Sequence, residues 1–265
     1  MDNQQATKSW FIGFLDGEGC FIAERSKEHL REYSTKSSHK QQCEIRISNT
    51  EIDTLYICKE FLGKNYILSY ILTGKPHKKS GKAVSELYIA GEKDCKIFYE
   101  LMKDTMECRI NELERILGAS TTTRETSCDK NWLAGVYEAE TCFTISTQSH
   151  KGGFISHKPE VIFENTNTKI TEKVIKTLYN LGLSWYVRDR DQHNPKWKKS
   201  QVVSICGFKR VIRFIRVMDG LWRGSKTIRK VKLITEFCES RLKGHEKEPY
   251  SEREKQLAHE IKMKI

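Results

Sequence analysis

The sequences WFIGFLDGEGCF at residues 10–21 and WLAGVYEAETCF at residues 132–143 are two copies of one pattern. Each copy starts apolar, has glycine at its fourth place and acids at its seventh and ninth places, and ends in Cys-Phe. The pattern predicts two apolar helices that end in carboxylates. If these helices pack side by side, Glu18 and Glu140 come together at one end. Close carboxylates repel each other, and a divalent cation is the usual reason for keeping them close.

Small residues recur at matching places in the two predicted helices, at Gly13 and Gly17 in the first and at Gly135 and Ala139 in the second. Residues four apart lie on one helical face, so these positions predict an interface at which two helix backbones approach closely. Glycine inside a helix costs about 1 kcal/mol relative to alanine, which a close approach would justify. A carboxylate at a helix C-terminus costs roughly 0.3–1 kcal/mol more, which a bound cation would offset. A plain buried core helix is the alternative.

The two copies continue beyond these helices. We match Asn49–Asp53 with Asn167–Thr171, because each segment follows a strand-like stretch and precedes an amphipathic helix that ends in Leu-Gly. The two glycines, Gly63 and Gly182, suit left-handed C-caps. Further matching segments are 87–91 (LYIAG) and 203–207 (VSICG), which lead into helices ending near Met102 and Met218.

Each copy therefore has the predicted order helix, two strands, helix, two strands, helix, and its alternating strands are typical of half-buried sheets. The polar stretch 119–131 is interpreted as a linker between an N-terminal half, 1–118, and a C-terminal half, 132–265. The predicted strands are 20–26, 43–48, 66–72 and 85–90 in the first half, and 142–148, 160–164, 185–189 and 201–206 in the second.

An extra helix is predicted at the C-terminus. Residues 251–254 (SERE) have the pattern of a capping box, and an apolar stripe of Leu257, Ile261 and Ile265 follows. We assign this helix a packing role and no chemistry.

Composition favours an anionic partner. Lysine and arginine outnumber aspartate and glutamate by 46 to 35, giving a net charge of +11. This excess suits DNA, RNA or an acidic membrane surface, and a generic basic protein is the alternative. The nine cysteines have no CxxC or zinc-finger spacing and indicate a reducing, intracellular environment. The cytoplasm of a microbe and the matrix of an organelle are both environments of this kind. We expect neither a secretory signal nor a membrane-spanning segment.

The segments FIGFLDGEG (11–19) and LAGVYEAET (133–141) resemble the two signature motifs of the LAGLIDADG homing endonucleases in their single-chain, two-repeat form. The resemblance covers almost the whole chain. It implies an α+β fold of two pseudo-symmetric αββαββα units, joined at two packed motif helices. Each unit would carry a four-stranded antiparallel sheet, and the two sheets would form a saddle on DNA.

The resemblance also implies a metal site at the last acid of each motif, namely Glu18 and Glu140, with the backbone carbonyls of Gly17 and Ala139 as further ligands. Mg²⁺ is expected, with Mn²⁺ or Ca²⁺ able to replace it in binding, because hard oxygen ligands suit these ions. Two such sites would cut one strand each and leave short 3′ overhangs. The earlier acids, Asp16 and Glu138, lie on a different helical face and are interpreted as helix-end or interface residues. Thr141 departs from the glycine that ends the family's motif.

Polar residues near the metals are expected to order water and stabilise charge. By position we propose Lys226, with Arg109 as its counterpart, and Arg46 and Glu164, which precede Asn49 and Asn167 on their strands. For all four, a solvated or phosphate-contacting side chain is the alternative.

Outward side chains of the two sheets would read base edges in the major groove. Four charged loops would touch phosphate, unless they are simply solvated: 26–42, 74–82, 148–158 and 191–199. The base-reading candidates are Glu24, Ser26, Arg46, Ser48, Tyr70 and Tyr88 in the first half and Thr144, Ser146, Gln148, Arg188, Arg190 and Gln201 in the second.

The leading hypothesis is a site-specific double-strand DNA endonuclease that acts as a monomer. An RNA maturase that assists splicing of a host intron is a second hypothesis, since family members do either or both. A non-catalytic DNA-binding regulator is a third. Such regulators usually lose the catalytic acids, and both glutamates are present here.

Overall fold

A computed structural model describes residues 3–22, 43–74, 76, 83–106, 108–119, 129–150, 153, 155–190, 199–245 and 249–263. The chain divides into two compact units, Met1–Ser127 and Cys128–Ile265. This boundary falls within the stretch interpreted as a linker, of which residues 120–128 lie outside the described part. The predicted bounds of the halves and the packing of the two motif helices stay predictions. Among the described residues, no helix is both long and apolar enough to cross a membrane.

Unit 1 has the predicted order of elements up to α3, and a further helix, α4, that was not predicted. Its sheet is antiparallel throughout, with strand order β1-β2-β4-β3. The elements are α1 (Asn3–Glu18), β1 (Gly19–Ile22), β2 (Glu44–Asn49), α2 (Ile52–Lys64), β3 (Tyr70–Thr73), β4 (Ser85–Ala90), α3 (Glu92–Met102) and α4 (Ile110–Leu117).

Unit 2 repeats this order and adds elements at its C-terminal end. Its sheet has the equivalent strand order β5-β6-β8-β7, again antiparallel, so the predicted α+β fold with two four-stranded antiparallel sheets is confirmed. The elements are α5 (Lys130–Glu140), β5 (Thr141–Ser149), β6 (Ile155–Asn165), α6 (Thr168–Asn180), β7 (Tyr186–Asp189), β8 (Gln201–Cys206), α7 (Phe208–Val217), α8 (Ser225–Ser240), a π-helical segment (Arg241–His245) and α9 (Glu252–Lys262).

Alternation along the central strands gives each sheet a core face and a second face that we call the open face. On β2, Ile45 and Ile47 are buried, whereas Glu44, Arg46 and Ser48 are half-buried on the other side. Unit 2 follows the same rule, with Val161 and Phe163 on the core face and Glu160, Ile162 and Glu164 on the open face. Successive side chains of a strand point to opposite faces, so the hydrophobic period fixes which residues lie on the open face.

The motif helices pack within their own units through aromatic side chains. In unit 1, the ring of Phe11 lies 4.8 Å from that of Phe61 and 6.2 Å from that of Phe98. In unit 2, Tyr137 lies between Phe163 and Phe214, at 5.8 and 5.2 Å. Burial raises the pKa of the Tyr137 phenol. In unit 1 these contacts join the middle of α1 to α2 and α3, and in unit 2 they join the last turn of α5, which carries Glu140, to β6 and α7.

The register of the sheets corrects one match between the copies. Asn49 pairs with Ser85, and Asn165 pairs with Gln201, each at the end of the central strand. Asn49 therefore corresponds to Asn165, and the match to Asn167 is wrong. The sequence reads Asn-Thr-Asn-Thr at 165–168, so the Asn-Thr pair occurs twice in succession. The sequence comparison aligned Asn49 with the second of the two pairs instead of the first.

This correction changes the predicted equivalence of Arg46 and Glu164. In the observed register Arg46 lies across from Tyr88 and Ile162 lies across from Ser204. Arg46 thus corresponds to Ile162, and Glu164 corresponds to Ser48. The two residues do not occupy the same place in the two units.

The C-caps of the second helices also differ from prediction in one unit. Gly182 has a φ of 63° and is left-handed, as predicted. Its counterpart in unit 1 is Tyr66, with a φ of 61°, whereas Gly63 lies inside α2. Ile67 and Leu183 each donate a backbone hydrogen bond to a carbonyl five residues earlier, so both helices end in the same motif. Since Tyr66 belongs to this cap, β3 begins at Tyr70 and not at the predicted Tyr66.

The hairpin of β5 and β6 is longer than predicted. Gln148 pairs with Ser156 and Ser149 with Ile155, so most of the described part of the predicted loop 148–158 belongs to the strands. Polar side chains bond across the hairpin, including Thr147 with His157 at 3.1 Å and His150 with Ser156 at 2.7 Å. Such pairs stabilise a sheet without the apolar alternation that a sequence analysis detects.

The predicted capping box at the start of α9 is confirmed. Ser251 accepts a hydrogen bond from the backbone N–H of Glu254, and the Glu254 carboxylate accepts one from the backbone N–H of Ser251. Leu257 and Ile261 of the predicted stripe are buried. Ile265 lies outside the described residues.

Candidate metal and nucleic-acid site

Glu18 is the last residue of α1, and an asparagine from the neighbouring strand holds it. Asn49 Nδ2 donates a hydrogen bond to Glu18 Oε1 at 3.3 Å. The other end of the same amide is fixed as well, because Asn49 Oδ1 accepts from the backbone N–H of Glu51 at 2.7 Å. The end of β2 thereby orients the carboxylate at the end of the motif helix.

Unit 2 repeats this arrangement at Glu140. Asn165 Nδ2 donates to Glu140 Oε1 at 3.3 Å, and Asn165 Oδ1 accepts from the backbone N–H of Asn167 at 2.7 Å. Both asparagines were missed as site residues. The signal that identifies them is an Asn-Thr pair at the end of the second strand of each copy, read in the correct register.

The donor set at each acid fits a hard divalent cation. An ionised carboxylate has about four acceptor sites on its two oxygens, so a bond from asparagine leaves room for a metal on the same group. Gly17 and Ala139, which carry the predicted carbonyl ligands, are half-buried next to the acids. Within the described ranges there is no group of three or more His, Cys, Asp or Glu side chains that could hold a metal ion. A divalent cation held by one carboxylate can take its remaining ligands from backbone carbonyls, waters and substrate phosphates.

The residue after each acid differs between the units. A Cβ on Gly19 would lie 2.4 Å from the carbonyl oxygen of Leu15, so only glycine fits there. In unit 2 this place is taken by Thr141, and its buried hydroxyl has no hydrogen-bond partner among the described residues. The helix-to-strand junction is therefore built differently next to Glu140.

The earlier acid of the second motif anchors another helix. Glu138 Oε1 accepts hydrogen bonds from the backbone N–H groups of Arg223 and Gly224, at 2.8 and 2.6 Å. Gly224 is the N-cap of α8, so the carboxylate satisfies donors that a helix start leaves open and opposes the positive end of its dipole. Asp16, at the equivalent place in unit 1, is 1% exposed. Glu138 was interpreted as a residue at the end of its own motif helix or at an interface. Its carboxylate contacts the start of another helix, α8.

Arg109 and Lys226 lie near the starts of corresponding helices, but not at the same position. Arg109 is the N-cap of α4, whereas Lys226 is the second residue of α8. The Nε and Nη1 groups of Arg109 are buried and find no acceptor among the described residues. Lys226 is half-buried.

The open face of unit 1 carries a connected polar network that includes four of the predicted base-reading residues. Arg46 contacts Glu44 at 2.9 Å and Glu86 at 3.5 Å, and its guanidinium lies 4.9 Å from the centre of the Tyr88 ring. Burial and the hydrogen bond to Glu86 raise the pKa of Tyr88 to about 12. Two further candidates complete the network: Ser48 donates to Glu86 at 3.0 Å, and Tyr70 stacks on Tyr88 at 5.1 Å.

The open face of unit 2 carries a different set. Glu164 accepts from Ser200 at 2.7 Å and forms an ion pair with Arg190. Arg188 lies across from Val202 on the same face and is exposed. The predicted residues of β5 that share this face are Thr144, Ser146 and Gln148.

Gln201 is misplaced by the sequence analysis. Gln201 pairs with Asn165 on the neighbouring strand. It has the same parity along β8 as the buried Val203 and Ile205, so its side chain lies on the core face with theirs and points away from the open face. Its amide donates to Asp189 at 3.4 Å. The predicted bounds of β8 are those observed, but a period of two puts Gln201 on the same face as Val203 and Ile205, so only its assignment to the open face is wrong.

Part of the predicted nucleic-acid surface lies outside the described residues. This applies to Glu24 and Ser26, to the loop 26–42, to most of the loop 74–82 and to residues 191–198 of the last loop.

Comparisons with known proteins complete the description. No protein-family model matches the sequence, and no curated protein matches it. Among solved structures, the I-AabMI LAGLIDADG meganuclease bound to uncleaved DNA has a TM-score of 0.63 at 16% identity, over 97% of this chain and 98% of that chain. The I-LtrWI LAGLIDADG homing endonuclease bound to target DNA has a TM-score of 0.63 at 15% identity, over 99% and 98%.

A third structure, the I-SmaMI LAGLIDADG homing endonuclease bound to cleaved DNA, has a TM-score of 0.61 at 14% identity, over 96% of this chain and 95% of that chain. At these identities the likeness concerns the fold. It extends over both units and agrees with the two motifs and with the strand order of both sheets. The chain has the fold of the LAGLIDADG homing endonucleases.

Proposed function

We propose that this protein is a site-specific endonuclease that cuts both strands of duplex DNA by hydrolysis and requires a divalent cation. One observation carries the proposal. A glutamate at the end of the motif helix accepts a hydrogen bond from an asparagine at the end of the second strand, and this occurs in both units at the same distance of 3.3 Å. Two matched carboxylate centres suit an enzyme that must cleave two strands.

The residues around each acid have separate tasks in this proposal. Glu18 with the Gly17 carbonyl, and Glu140 with the Ala139 carbonyl, would hold Mg²⁺. When bound, the ion supplies Lewis-acid stabilisation of the phosphate and lowers the pKa of water. Asn49 and Asn165 keep each carboxylate in one orientation. Arg109, at the N-cap of α4, would place its guanidinium on a phosphate oxygen and stabilise the negative charge that develops during hydrolysis.

Recognition is assigned to the open faces of the two sheets. They carry arginine, carboxylate, hydroxyl and amide side chains, which are the groups that distinguish base pairs in the major groove. The net charge of +11 supports binding to the DNA backbone. The neighbours in fold include endonucleases whose structures contain DNA, and one of them, I-SmaMI, is described with calcium ions and an uncleaved target. Short 3′ overhangs and action as a monomer belong to the same proposal.

The test is a cleavage selection. Purified protein and Mg²⁺ would meet a plasmid library that contains randomised and intron-homing sites, and fixed cut sites would be read by sequencing. We expect linear product from the parent protein. Glu18→Gln and Glu140→Gln should each leave one strand uncut and yield nicked circles, and the nick should lie on opposite strands in the two variants.

A matched control is Glu60→Gln, which neutralises an exposed glutamate on α2 and should cut like the parent. Cleavage by the double variant of Glu18 and Glu140 at the parental rate would overturn the nuclease assignment. Sequence-specific binding without any cutting by the parent would favour a DNA-binding regulator instead.

A further inference from the structure

The start of α8 is joined to the motif helix of unit 2 by one carboxylate. Glu138, in the last turn of α5, accepts hydrogen bonds on a single oxygen, Oε1, from the backbone N–H groups of Arg223 and Gly224 at 2.8 and 2.6 Å. Gly224 is the N-cap of α8, and its carbonyl accepts a hydrogen bond from the backbone N–H of Ile228 at 3.0 Å, which closes the first turn of that helix. The position of this turn is therefore set directly from α5.

The preceding residue holds the same segment from a second side. Trp222 is 9% exposed, and its ring lies 5.6 Å from that of Phe143 on β5 in an edge-on arrangement. The same ring lies 6.1 Å from that of Phe214 on α7. Glu138 precedes Glu140 by two residues and Phe143 follows it by three, so the start of α8 is fastened on both sides of the candidate metal ligand.

The charges at the two helix ends are not explained by helix stability. The negative end of a helix dipole disfavours carboxylates, yet Glu138 and Glu140 both lie in the last turn of α5. The positive end disfavours cations, yet Lys226 is the second residue of α8. The two hydrogen bonds to Glu138 offset part of these costs, because they satisfy donors that a helix start leaves open. What the arrangement secures is a fixed relation between the end of α5 and the start of α8.

Lys226 is the side chain that this relation places. It is half-buried in the first turn of α8, and by its position in the chain it is our candidate for stabilising charge beside the cation of unit 2. An ammonium group on a flexible stem acts at a definite place only when the backbone that carries it is fixed. Gly224, whose N–H is bonded to Glu138, lies two residues before Lys226 and supplies that fixed backbone.

We propose that Glu138 is a positioning residue for the cleavage centre of unit 2, acting through the start of α8 to hold Lys226 in place beside Glu140. Glu138 itself touches neither the cation nor the phosphate. The inference rests on the proposed nuclease function and adds to it a division of tasks within one motif. The later acid binds the cation, and the earlier acid fixes the helix that bears the lysine.

The first test measures cleavage of each strand of a plasmid that contains the selected site, with protein in excess. Glu138→Ala removes the acceptor and should slow cleavage of the strand cut at Glu140 by about tenfold to a hundredfold, as expected for a misplaced group. Glu138→Gln keeps a carbonyl oxygen that can accept both N–H bonds, so it should restore most of the rate. The strand cut at Glu18 should be unaffected by either variant. Glu172→Ala, which removes an exposed acid of α6, is the matched control and should cut like the parent.

The glutamine variant separates positioning from metal binding. If Glu138 were a ligand of the cation, Glu138→Gln would cut that strand as poorly as Glu140→Gln, and the proposal would be wrong. A double variant locates the effect. If Glu138 acts through Lys226, Glu138→Ala combined with Lys226→Gln should cut no more slowly than Lys226→Gln alone. Losses that multiply in the double variant would contradict this route.

A measurement on the free protein distinguishes failure of this inference from failure of the proposed function. Hydrogen exchange at the amides of Arg223 and Gly224, followed by NMR, reports the two bonds without DNA or metal. Protection should fall by about tenfold in Glu138→Ala, as the loss of a hydrogen bond predicts, and persist in Glu138→Gln. Melting curves establish that both variants are folded. Unchanged protection in Glu138→Ala would overturn the inference, whereas lost protection together with no cleavage by the parent protein would refute the nuclease function on which it rests.

Discussion

At the residue scale, the asparagines that hold the two acids give strand-specific expectations. Asn49→Ala should slow cleavage of the strand cut at Glu18, and Asn165→Ala should slow cleavage of the other strand, because each loses the group that orients its carboxylate. A misplaced catalytic group commonly costs up to about a hundredfold in rate. Nicked intermediates on supercoiled plasmid would report the two rates separately. Each variant is the control for the other, and equal slowing of both strands by either one would contradict the assignment.

The left-handed caps give a second expectation at this scale. Tyr66 has a φ of 61° and its side chain is 89% exposed, so replacing it with glycine removes backbone strain and little packing. Tyr66→Gly should raise the free energy of unfolding by about 1 kcal/mol. Gly182→Ala, at the corresponding place in unit 2, should lower it by a similar amount. Denaturant titration of both variants checks the pair, and destabilisation by Tyr66→Gly would refute the strain argument.

These two sites also show what a sequence can reveal. The acids were predictable because they end two copies of a motif, and a motif keeps its residues close together in the chain. The asparagines follow the acids by 31 and 25 residues, and their contact depends on strand register. Tyr66 was unpredictable since only glycine is expected at a left-handed position.

At the element scale, α9 fastens the hairpin of β5 and β6. Tyr250, just before α9, accepts a hydrogen bond from the backbone N–H of His157 at 2.9 Å and donates one to its carbonyl at 3.2 Å. Arg241 lies 4.2 Å from the centre of the Tyr250 ring and forms a buried ion pair with Glu254 at 3.5 Å. The capping box that starts α9 was predictable from four adjacent residues. The attachment of α9 to β6 was not predictable, since Tyr250 and His157 are 93 residues apart in the sequence.

Removing the Tyr250 hydroxyl tests this attachment. Tyr250→Phe keeps the ring and deletes two hydrogen bonds to the His157 backbone, which should cost about 1–3 kcal/mol of unfolding free energy. Tyr179→Phe is the control, because Tyr179 is 70% exposed on α6. Equal stability of the Tyr250 variant and the parent protein would show that the hydroxyl does not fasten the hairpin.

The imidazole ring of the same residue, His157, should make the free energy of unfolding depend on pH. Burial and the nearby charges of Lys262 and Arg241 lower the pKa of His157 from 6.5. The folded state then prefers the neutral ring, so this stability is present above pH 6.5 and is lost as the pH falls through the lowered pKa. His157→Phe should flatten the dependence of the unfolding free energy on pH between about 7.5 and 5, relative to the parent. The control His259→Phe, at an exposed position of α9, should not. A steeper profile in the His157 variant would contradict the sign.

At the scale of the whole molecule, the two open faces differ enough to predict an asymmetric DNA target. Arg46, Glu86 and Tyr88 in unit 1 correspond to Ile162, Val202 and Ser204 in unit 2. An arginine held between carboxylates reads a donor and acceptor pattern, whereas aliphatic side chains favour the methyl group of thymine. The two half-sites should therefore differ in sequence.

Substitution on one face should then affect one half-site. Arg46→Ala should reduce discrimination at the positions facing unit 1 by about 1–3 kcal/mol and leave the other half unchanged. Binding to a set of singly substituted targets measures this, and Ile162→Ala provides the reciprocal case. A palindromic target would contradict the prediction.

The sequence predicted the fold because both copies repeat its order of elements, but it could not rank the base-reading residues, since a shift of one place sends a side chain to the other face.

The constant sequence offset between corresponding residues of the two copies bears on how the gene can change during evolution. From Glu44 to Gly91 and from Glu160 to Gly207 the copies keep the same spacing, 116 residues apart, through three strands, a helix and the glycine that precedes the next helix. A gene conversion that copies part of one half of the gene onto the other, with its ends anywhere in this stretch, would join strand to strand with the pleat intact and keep two units. Reassorted recognition surfaces are thus reachable in a single genetic event, without any intermediate that has to fold by a new route.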